Sequence, residues 1–256
     1  MPVLKKQLQP FSDAVNGCFS RGAEAYDGHA LLQRAIAARL GGLSRQRGLI
    51  LPPGPRVDLG AGSGLLSRAL ERGLGGDRFV RVDQCGALLR QEAEVPQLEW
   101  DLNRGLPPQL IPAACLASSF ALQWLEQPEL QLGHWCDRLK PGGWLLLAVP
   151  TSGSFPLWKD AASRAGVPCT ALELPNAERL IGCTQGPLEL LCLQRLRFSR
   201  RNPGGLPFLQ QIKTLGAQAS RGPQLSPGQL RRLLRSWPGP EQAILWEVLL
   251  LIGQKR

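Results

Sequence analysis

The chain has 256 residues, 43% hydrophobic and 20% charged, the balance of a globular protein long enough for one sizeable core. No stretch has the apolar length a bilayer demands. Met1–Pro10 lacks the apolar run of a secretory signal, so the expected location is the cytoplasm. The net charge of +10 is lopsided, with +2 over residues 1–150 and +8 over 151–256. Such a field favours an acidic partner (nucleic acid, anionic lipid or an acidic protein), although a plain solubility surface reads the same way.

Glu24–Leu40 predicts an amphipathic helix that buries Leu32, Ile36, Leu40 and Leu43 and stops at Gly41-Gly42. An adjacent stripe carries Tyr26, the only tyrosine, with Ala30, Gln33 and Ala37. After the Pro52–Pro55 loop, an apolar strand empties into Gly60, Gly62 and Gly64 and then into a helical run from Leu65. Strand, glycine turn and helix N-terminus in that order let a nucleotide-like ligand approach the backbone. Expected next are a strand over Arg78–Val82 closing on Asp83, a helix over Gly86–Glu94 and a strand over Leu98–Leu102 containing Asp101. Ala114–Ser118 reads as a buried strand. A helix over Glu129–Leu139 stops at Lys140-Pro141-Gly142-Gly143, and Trp144–Val149 is an apolar strand covered on both faces.

Beyond Pro150 the pattern loosens. Helices are expected over Phe155–Ala165, Asn176–Ile181, Phe208–Leu215 and Pro227–Leu234, and strands over Leu188–Phe198 and Ala243–Ile252. Alternating strands and helices, then two final strands, make a doubly wound α/β fold with insertions before and between those last strands. The seven cysteines are odd in number and contain no C-x-x-C pair, which fits neither a disulfide framework nor zinc. They read mostly as small buried hydrophobes. His29 and His134 have no partners at metal-ligand spacing and read as structural, so no metal is expected.

The glycine spacing narrows the ligand. A dinucleotide site wants G-x-G-x-x-G/A, but the sixth position here is Leu65 and the third glycine comes one residue early. No lysine follows for a phosphate loop. With Asp58 two residues ahead, the run D-x-G-x-G-x-G resembles motif I of methyltransferases that use S-adenosylmethionine, although a turn with no ligand shares the spacing. Ligands of open parallel sheets lie over the carboxyl ends of the strands, where the further candidates fall. Asp83 can accept from ribose hydroxyls and Asp101, with Leu102 beside it, from an adenine amine, while Ser118 and Ser119 face the methionine part. Gln123, Trp124 and Trp158 follow the fourth and fifth strands and can wall a substrate pocket, though the tryptophans serve equally as core or lid.

Several longer blocks point to a narrower family. Phe19-Ser20-Arg21-Gly22-Ala23-Glu24-Ala25-Tyr26-Asp27-Gly28-His29-Ala30, Ser118-Ser119-Phe120-Ala121-Leu122-Gln123-Trp124, Leu139-Lys140-Pro141-Gly142-Gly143, Leu215-Gly216-Ala217 and Leu225-Ser226-Pro227-Gly228-Gln229-Leu230 together resemble the malonyl-acyl carrier protein O-methyltransferases of biotin synthesis. Departures are Ala114, where an acid often opens the fourth strand, and Ser119, where Asn is frequent. The resemblance implies a class I methyltransferase fold: a Rossmann-like, seven-stranded, mostly parallel sheet with helices on both faces. One domain would span 1–256, with an N-terminal helical cap (1–48), a cofactor-binding core (49–150) and substrate-side insertions with the last two strands (151–256).

It also implies S-adenosylmethionine as co-substrate, methylation of the malonyl carboxylate, and Tyr26 closing over the cofactor beside that carboxylate. The partner would be an acidic carrier protein bearing malonyl-phosphopantetheine, steered by Arg200, Arg201, Arg221, Arg231, Arg232 and Arg235, with no membrane involved. A nucleic-acid methyltransferase fits less well, since no Asn/Asp-Pro-Pro loop follows the fourth strand and Cys169 lies past the fifth. Methylation of another small carboxylate or quinone, and a non-catalytic cofactor-binding protein, share the scaffold.

Overall fold

The computed structural model describes residues 11–76 and 78–256. The first ten residues of the expected cap, and Asp77, lie outside the described residues. The cap consists of α1 (Phe11–His29) and α2 (Leu31–Gln46). The expected single helix is thus broken at Ala30, which leaves α-helical geometry, and the second half runs past Gly41-Gly42. Gly41 is there for contact, not for a stop. A β-carbon on it would fall 2.5 Å from the Ala69 carbonyl oxygen, so its absence lets α2 lie against the next helix.

β1 (Arg56–Leu59) is followed by α3 (Leu65–Leu74), β2 (Val80–Asp83), α4 (Gly86–Leu89) and β3 (Gln97–Glu99). The expected strand over Leu98–Leu102 ends instead at Glu99, so Asp101 lies just past it and caps a short 3-10 turn, Leu102–Arg104. β4 (Ala113–Ser119), α5 (Pro128–Asp137) and β5 (Leu139–Pro150) come next. The Lys-Pro-Gly-Gly segment belongs to β5 as an irregularity: Ala113 pairs with Leu139, and the next partner of β4 is Trp144, opposite Cys115. The chain continues through α6 (Pro156–Ala165), α7 (Ala177–Gln185), β6 (Leu188–Arg200), α8 (Gly205–Thr214), α9 (Pro227–Arg235) and β7 (Ile244–Lys255).

The seven strands form one sheet in the order β3-β2-β1-β4-β5-β7-β6. The pairs among β1 to β5 are parallel, and β7 runs antiparallel to both its neighbours. The period of two along a strand explains why β5 reads as a continuous apolar run. Leu145, Leu147 and Val149 point to a core beneath α5 and α7, while Trp144, Leu146 and Ala148 point to one beneath α2 and α3. Both layers exclude water, and β5 carries only apolar side chains from Trp144 to Val149. A third apolar cluster, built on Trp158, Phe208, Leu233 and Ile244, joins α6, α8 and α9 beside the sheet.

Five cysteines are buried as expected, but Cys169 is exposed and Cys183 half-buried. None of the described helices is long and apolar enough to cross a membrane. The helical insertions fall where the sequence places them, before β6 and between β6 and β7.

Candidate active site

The point where the strand order reverses lies between β1 and β4, and a cleft of about 800 Å³, open mouth included, stands over those strand ends. Its floor is the glycine turn. Gly60 and Ala61 N–H donate to the Val82 carbonyl (2.8 and 3.1 Å), which pins the turn to β2. Gly60 and Gly64 both sit at positive φ, and each faces protein: an added β-carbon would meet Ala121 Cβ at 2.1 Å or Arg81 Cζ at 2.2 Å. Gly62, at φ +54°, has nothing nearer than Leu88 at 3.8 Å. Of the three glycines, Gly62 is the one whose missing side chain leaves room in the cleft.

Asp58, Asp83 and Asp101 all line this cleft. Asp58 is wholly buried, and one of its oxygens accepts from Ser67 N–H (2.9 Å) at the start of α3. Its other oxygen, Oδ1, has no partner among the described residues. Burial pushes its carboxyl up to about 7, against the pull of the Ser67 hydrogen bonds and the Arg81 charge. Asp83 accepts from Gly62 N–H and Cys85 N–H, both at 2.8 Å, so it shapes the turn that it flanks. Burial raises its carboxyl, opposed by those same bonds. Asp101 accepts twice from Asn103, through backbone and side-chain N–H groups at 2.9 Å. Leu102 and Trp100 complete that wall, and the Trp100 indole donates to the Gly105 carbonyl (2.8 Å).

Two expected cofactor residues act from behind the wall. Gly64 lies under Arg81, and Ser118 is fully buried with its hydroxyl bonded to the Leu59 carbonyl (2.8 Å). Neither lines the cleft. Ser119, Phe120 and Ala121 supply that edge instead, because side chains alternate at the strand end.

The cap closes the other side. Tyr26, Gln33 and Ala37 line the cleft, while Ala30, the fourth member of the stripe noted in the sequence, is buried at the break between the helices and does not. Tyr26 packs edge-on against Phe19 at 6.2 Å. Burial, with the Asp83 and Asp27 charges beside it, drives its phenol well above the ordinary tyrosine range, so it stays protonated and can donate. Asp27 anchors this helix end: its carboxylate accepts from the Ser63 hydroxyl of the glycine turn and faces Arg68 of α3 at 3.4 Å. Arg68 also reaches Glu92 at 3.2 Å, and Glu92 pairs with the buried Arg81.

A second cleft of about 1890 Å³, again with its mouth, adjoins the first. Phe19, Tyr26, Gln33, Phe120 and Trp124 line both and form the wall between them. Gln123, Trp124 and Trp158 meet here, as the sequence suggests, but most of the walls come from aromatic and aliphatic groups of α1, α2, α8 and the strand ends that sequence reasoning missed, among them Phe155, Phe198, Phe208 and Trp246. His29, expected to be structural, is exposed on this wall. The charge divides between the clefts. The first is lined by three carboxylates and no Lys or Arg; the second is lined by Arg200 and Lys213 and no Asp or Glu, among the described residues.

Arg200 and Arg201 end and follow β6, and Arg231, Arg232 and Arg235 project from α9, all exposed. Asn202 ties the two segments, donating to the Pro238 carbonyl (2.9 Å) and accepting from the Trp237 indole (3.1 Å). Arg221 is committed elsewhere, donating to the Leu125 carbonyl (3.0 Å) with its guanidinium 3.9 Å over the Phe11 ring. Among the described residues no three His, Cys, Asp or Glu side chains cluster to hold a metal.

The fold matches solved methyltransferases. Geranyl diphosphate C-methyltransferase from Streptomyces coelicolor superposes with a TM-score of 0.55 at 14% identity, covering 97% of this chain and 99% of that one. A putative methyltransferase from Bacillus halodurans gives 0.56 at 12%, covering 83% and 97%. This is the class I methyltransferase fold. No family model matches the chain.

Curated relatives are more specific. A biotin biosynthesis bifunctional protein of Bordetella avium is 31% identical over 230 residues, covering 86% of this chain and 47% of that protein. A malonyl-[acyl-carrier protein] O-methyltransferase of Alcanivorax borkumensis is 33% identical over 143 residues (54% and 48%). The chain thus spans about half the length of these two. Another enzyme of that name, from Serratia marcescens, is 28% identical over 237 residues and covers 88% of each. The chain is similar in sequence to the malonyl-[acyl-carrier protein] O-methyltransferases.

Proposed function

We propose that the chain transfers a methyl group from S-adenosylmethionine to the free carboxylate of a malonyl thioester on an acyl carrier protein, giving the methyl ester that serves biotin synthesis. The observation that carries this reading is the division of charge between the two clefts. A donor that is cationic at its sulfur and amine suits walls bearing three carboxylates. An anionic acceptor suits an apolar cleft whose fixed charges are Arg200 and Lys213.

We assign the residue roles on that basis. Asp83 accepts from ribose hydroxyls, and Asp101 with Leu102 receives the adenine. The unpartnered Asp58 Oδ1 and Ser119 Oγ accept from the amine. The backbone at Gly60 and Gly62 gives the close approach, while Gly64 and Ser118 hold the turn and β4 from behind. Bound there, S-adenosylmethionine supplies an electrophilic methyl group: a carboxylate oxygen bonds to its carbon as the C–S bond breaks, the electron pair stays on sulfur, and no proton moves.

A malonyl carboxylate is ionised at neutral pH, so no general base is required. The chain's task is alignment and exclusion of water. Tyr26, in the wall shared by the clefts and held protonated, donates to the reacting carboxylate; Gln123, Trp124 and Trp158 line the acceptor's path. Arg200, Arg201, Arg231, Arg232 and Arg235 dock an acidic carrier protein by steering and ion pairing, on a single domain working in the cytoplasm.

The test is incubation with labelled S-adenosylmethionine and malonyl-carrier protein, malonyl-coenzyme A, aconitate or RNA. One methyl mass gained on the malonyl carrier is expected. Labelling of aconitate or RNA in its place overturns the reading.

A further inference from the structure

Two kinds of contact hold Tyr26. Its ring rests on Ala23, Cys85 and Leu88, an apolar cushion that limits its depth and has little direction. The turn around it has little else of that kind. Gly28 and His29 are exposed, a β-carbon on Gly28 would meet nothing within 4 Å, and the chain leaves helical geometry at Ala30. Direction comes from Asp27. Its carboxylate accepts from the Ser63 hydroxyl and faces Arg68 at 3.4 Å, and its carbonyl accepts from Arg34.

These bonds lead to the floor of the donor cleft. Ser63 stands between Gly62 and Gly64, and its own carbonyl accepts from Arg68 (2.7 Å). The same Arg68 nitrogen lies 3.2 Å from Glu92, which pairs with Arg81. Arg81 donates to the Ser67 hydroxyl (2.9 Å), and the Ser67 N–H donates to Asp58 (2.9 Å). One guanidinium thus serves Asp27, Ser63 and Glu92, a use of the planar fork that an ammonium cannot copy. The Asp27–Arg68 pair is part-exposed and adds little stability. Placement is another matter, since a reacting group moved by about 1 Å can lose on the order of 100-fold in rate.

We propose that Asp27 and Arg68 are positioning residues for methyl transfer: they clasp the end of α1 to Ser63 of the glycine turn, so that a donor seated on that turn sets where the Tyr26 hydroxyl meets the acceptor. This rests on the methyl-transfer reading and adds how the two clefts are kept in register. A donor that tightens the turn tightens Tyr26 with it, and a broken clasp leaves the donor bound beside a tyrosine that wanders.

Tyr26 is the only tyrosine, so protein grown with ring-labelled tyrosine gives the magnetic-resonance signals of one ring. Saturating S-adenosylhomocysteine should shift and sharpen those signals in wild type. In Asp27→Ala and Arg68→Gln they should stay broad or split, with the Asp27→Ala melting temperature within about 5 °C of wild type. A ring as sharp in both variants as in wild type overturns the clasp. In turnover, Asp27→Ala should lower kcat about tenfold and weaken donor binding, measured by calorimetry, less than about threefold. Asp27→Asn, which can still accept from Ser63, and Arg68→Lys, which keeps the charge without the fork, should each recover part of the loss. Added to Tyr26→Phe, Asp27→Ala should cost nothing further, because the hydroxyl through which it acts is already gone. Losses that multiply, or a donor affinity that falls as far as kcat, overturn the proposal. Sharpening that depends on Asp27, with no methylation of the malonyl carrier by wild type, retains the clasp and removes the methyl-transfer reading. Turnover with ring signals indifferent to Asp27→Ala does the reverse.

Discussion

Adding one methyl group to the glycine turn at two positions should separate stability from cofactor affinity. In Gly60→Ala the new β-carbon lies 2.1 Å from Ala121 Cβ at a φ of +67°. An L-residue in the left-handed region costs about 1–2 kcal/mol, and overpacking a filled site about 1–3 kcal/mol, together about 2–5 kcal/mol. At ~2–4 °C per kcal/mol for a domain of this size, the melting temperature should fall by about 4–20 °C. Gly62→Ala carries the same backbone strain at φ +54°, but its β-carbon meets nothing nearer than 3.8 Å. Its melting temperature should fall by only ~2–8 °C. The methyl group then stands in the donor cleft, and affinity for S-adenosylmethionine should drop at least about tenfold. Thermal unfolding and calorimetric titration on the two variants decide the matter. If both lose stability equally, or if Gly62→Ala binds the cofactor as wild type does, the assignment of Gly60 to packing and Gly62 to the ligand is wrong.

Asp58 should leave a signature in pH. Its carboxyl is raised to about 7 in the fold, above the unfolded value near ~3.9, so ionisation favours the unfolded chain. Relative to Asp58→Asn, wild type should lose stability between about pH 4 and about pH 7, by on the order of 4 kcal/mol, and run parallel above that. Urea midpoints across that range measure it, and parallel curves throughout would contradict the burial argument. Asp27→Asn removes a half-exposed pair worth less than about 1 kcal/mol, so the melting temperature should barely move. Amide exchange over the last turns of α1 should nonetheless quicken several-fold, because that pair and the Ser63 bond tie the Tyr26 helix to the glycine turn. Changing Arg231, Arg232 and Arg235 to Glu should raise KM for malonyl-carrier protein and spare malonyl-coenzyme A, with the contrast shrinking at roughly 0.5 M salt. Equal losses on both substrates would remove α9 from the docking surface.

What could be read from the sequence follows the range of the forces involved. β5 and β7 declare themselves because strands covered on both faces can carry only apolar side chains, and the motif carboxylates Asp83 and Asp101 because a parallel sheet presents its chemistry within a residue or two of a strand end. Gly41-Gly42 misled because a glycine that ends a helix and one that admits a neighbouring helix are spelled alike, and only the Ala69 contact tells them apart. Gly64 of the motif and Ser118 at the end of β4 were cofactor candidates yet serve Arg81 and the Leu59 carbonyl, partners chosen by tertiary packing. The acceptor cleft was least visible. Phe120, Phe155, Phe208 and Trp246 come from four separate segments, and no local pattern announces that they will share a wall.

The wall between the clefts has a consequence for how such a protein can change its trade. The donor carboxylates stand on residues 58–101, among the parallel strands, while much of the acceptor wall hangs on the cap and on the chain after Pro150. The two inventories overlap in only five residues, three of them from the cap. On the proposed reading, a foreign segment grafted over α6 to α9 should alter which acceptor is taken and leave the three carboxylates of the donor cleft in place. The scaffold is a fixed donor station with an interchangeable front, and Tyr26, on the seam, is the residue that any such graft must keep in register.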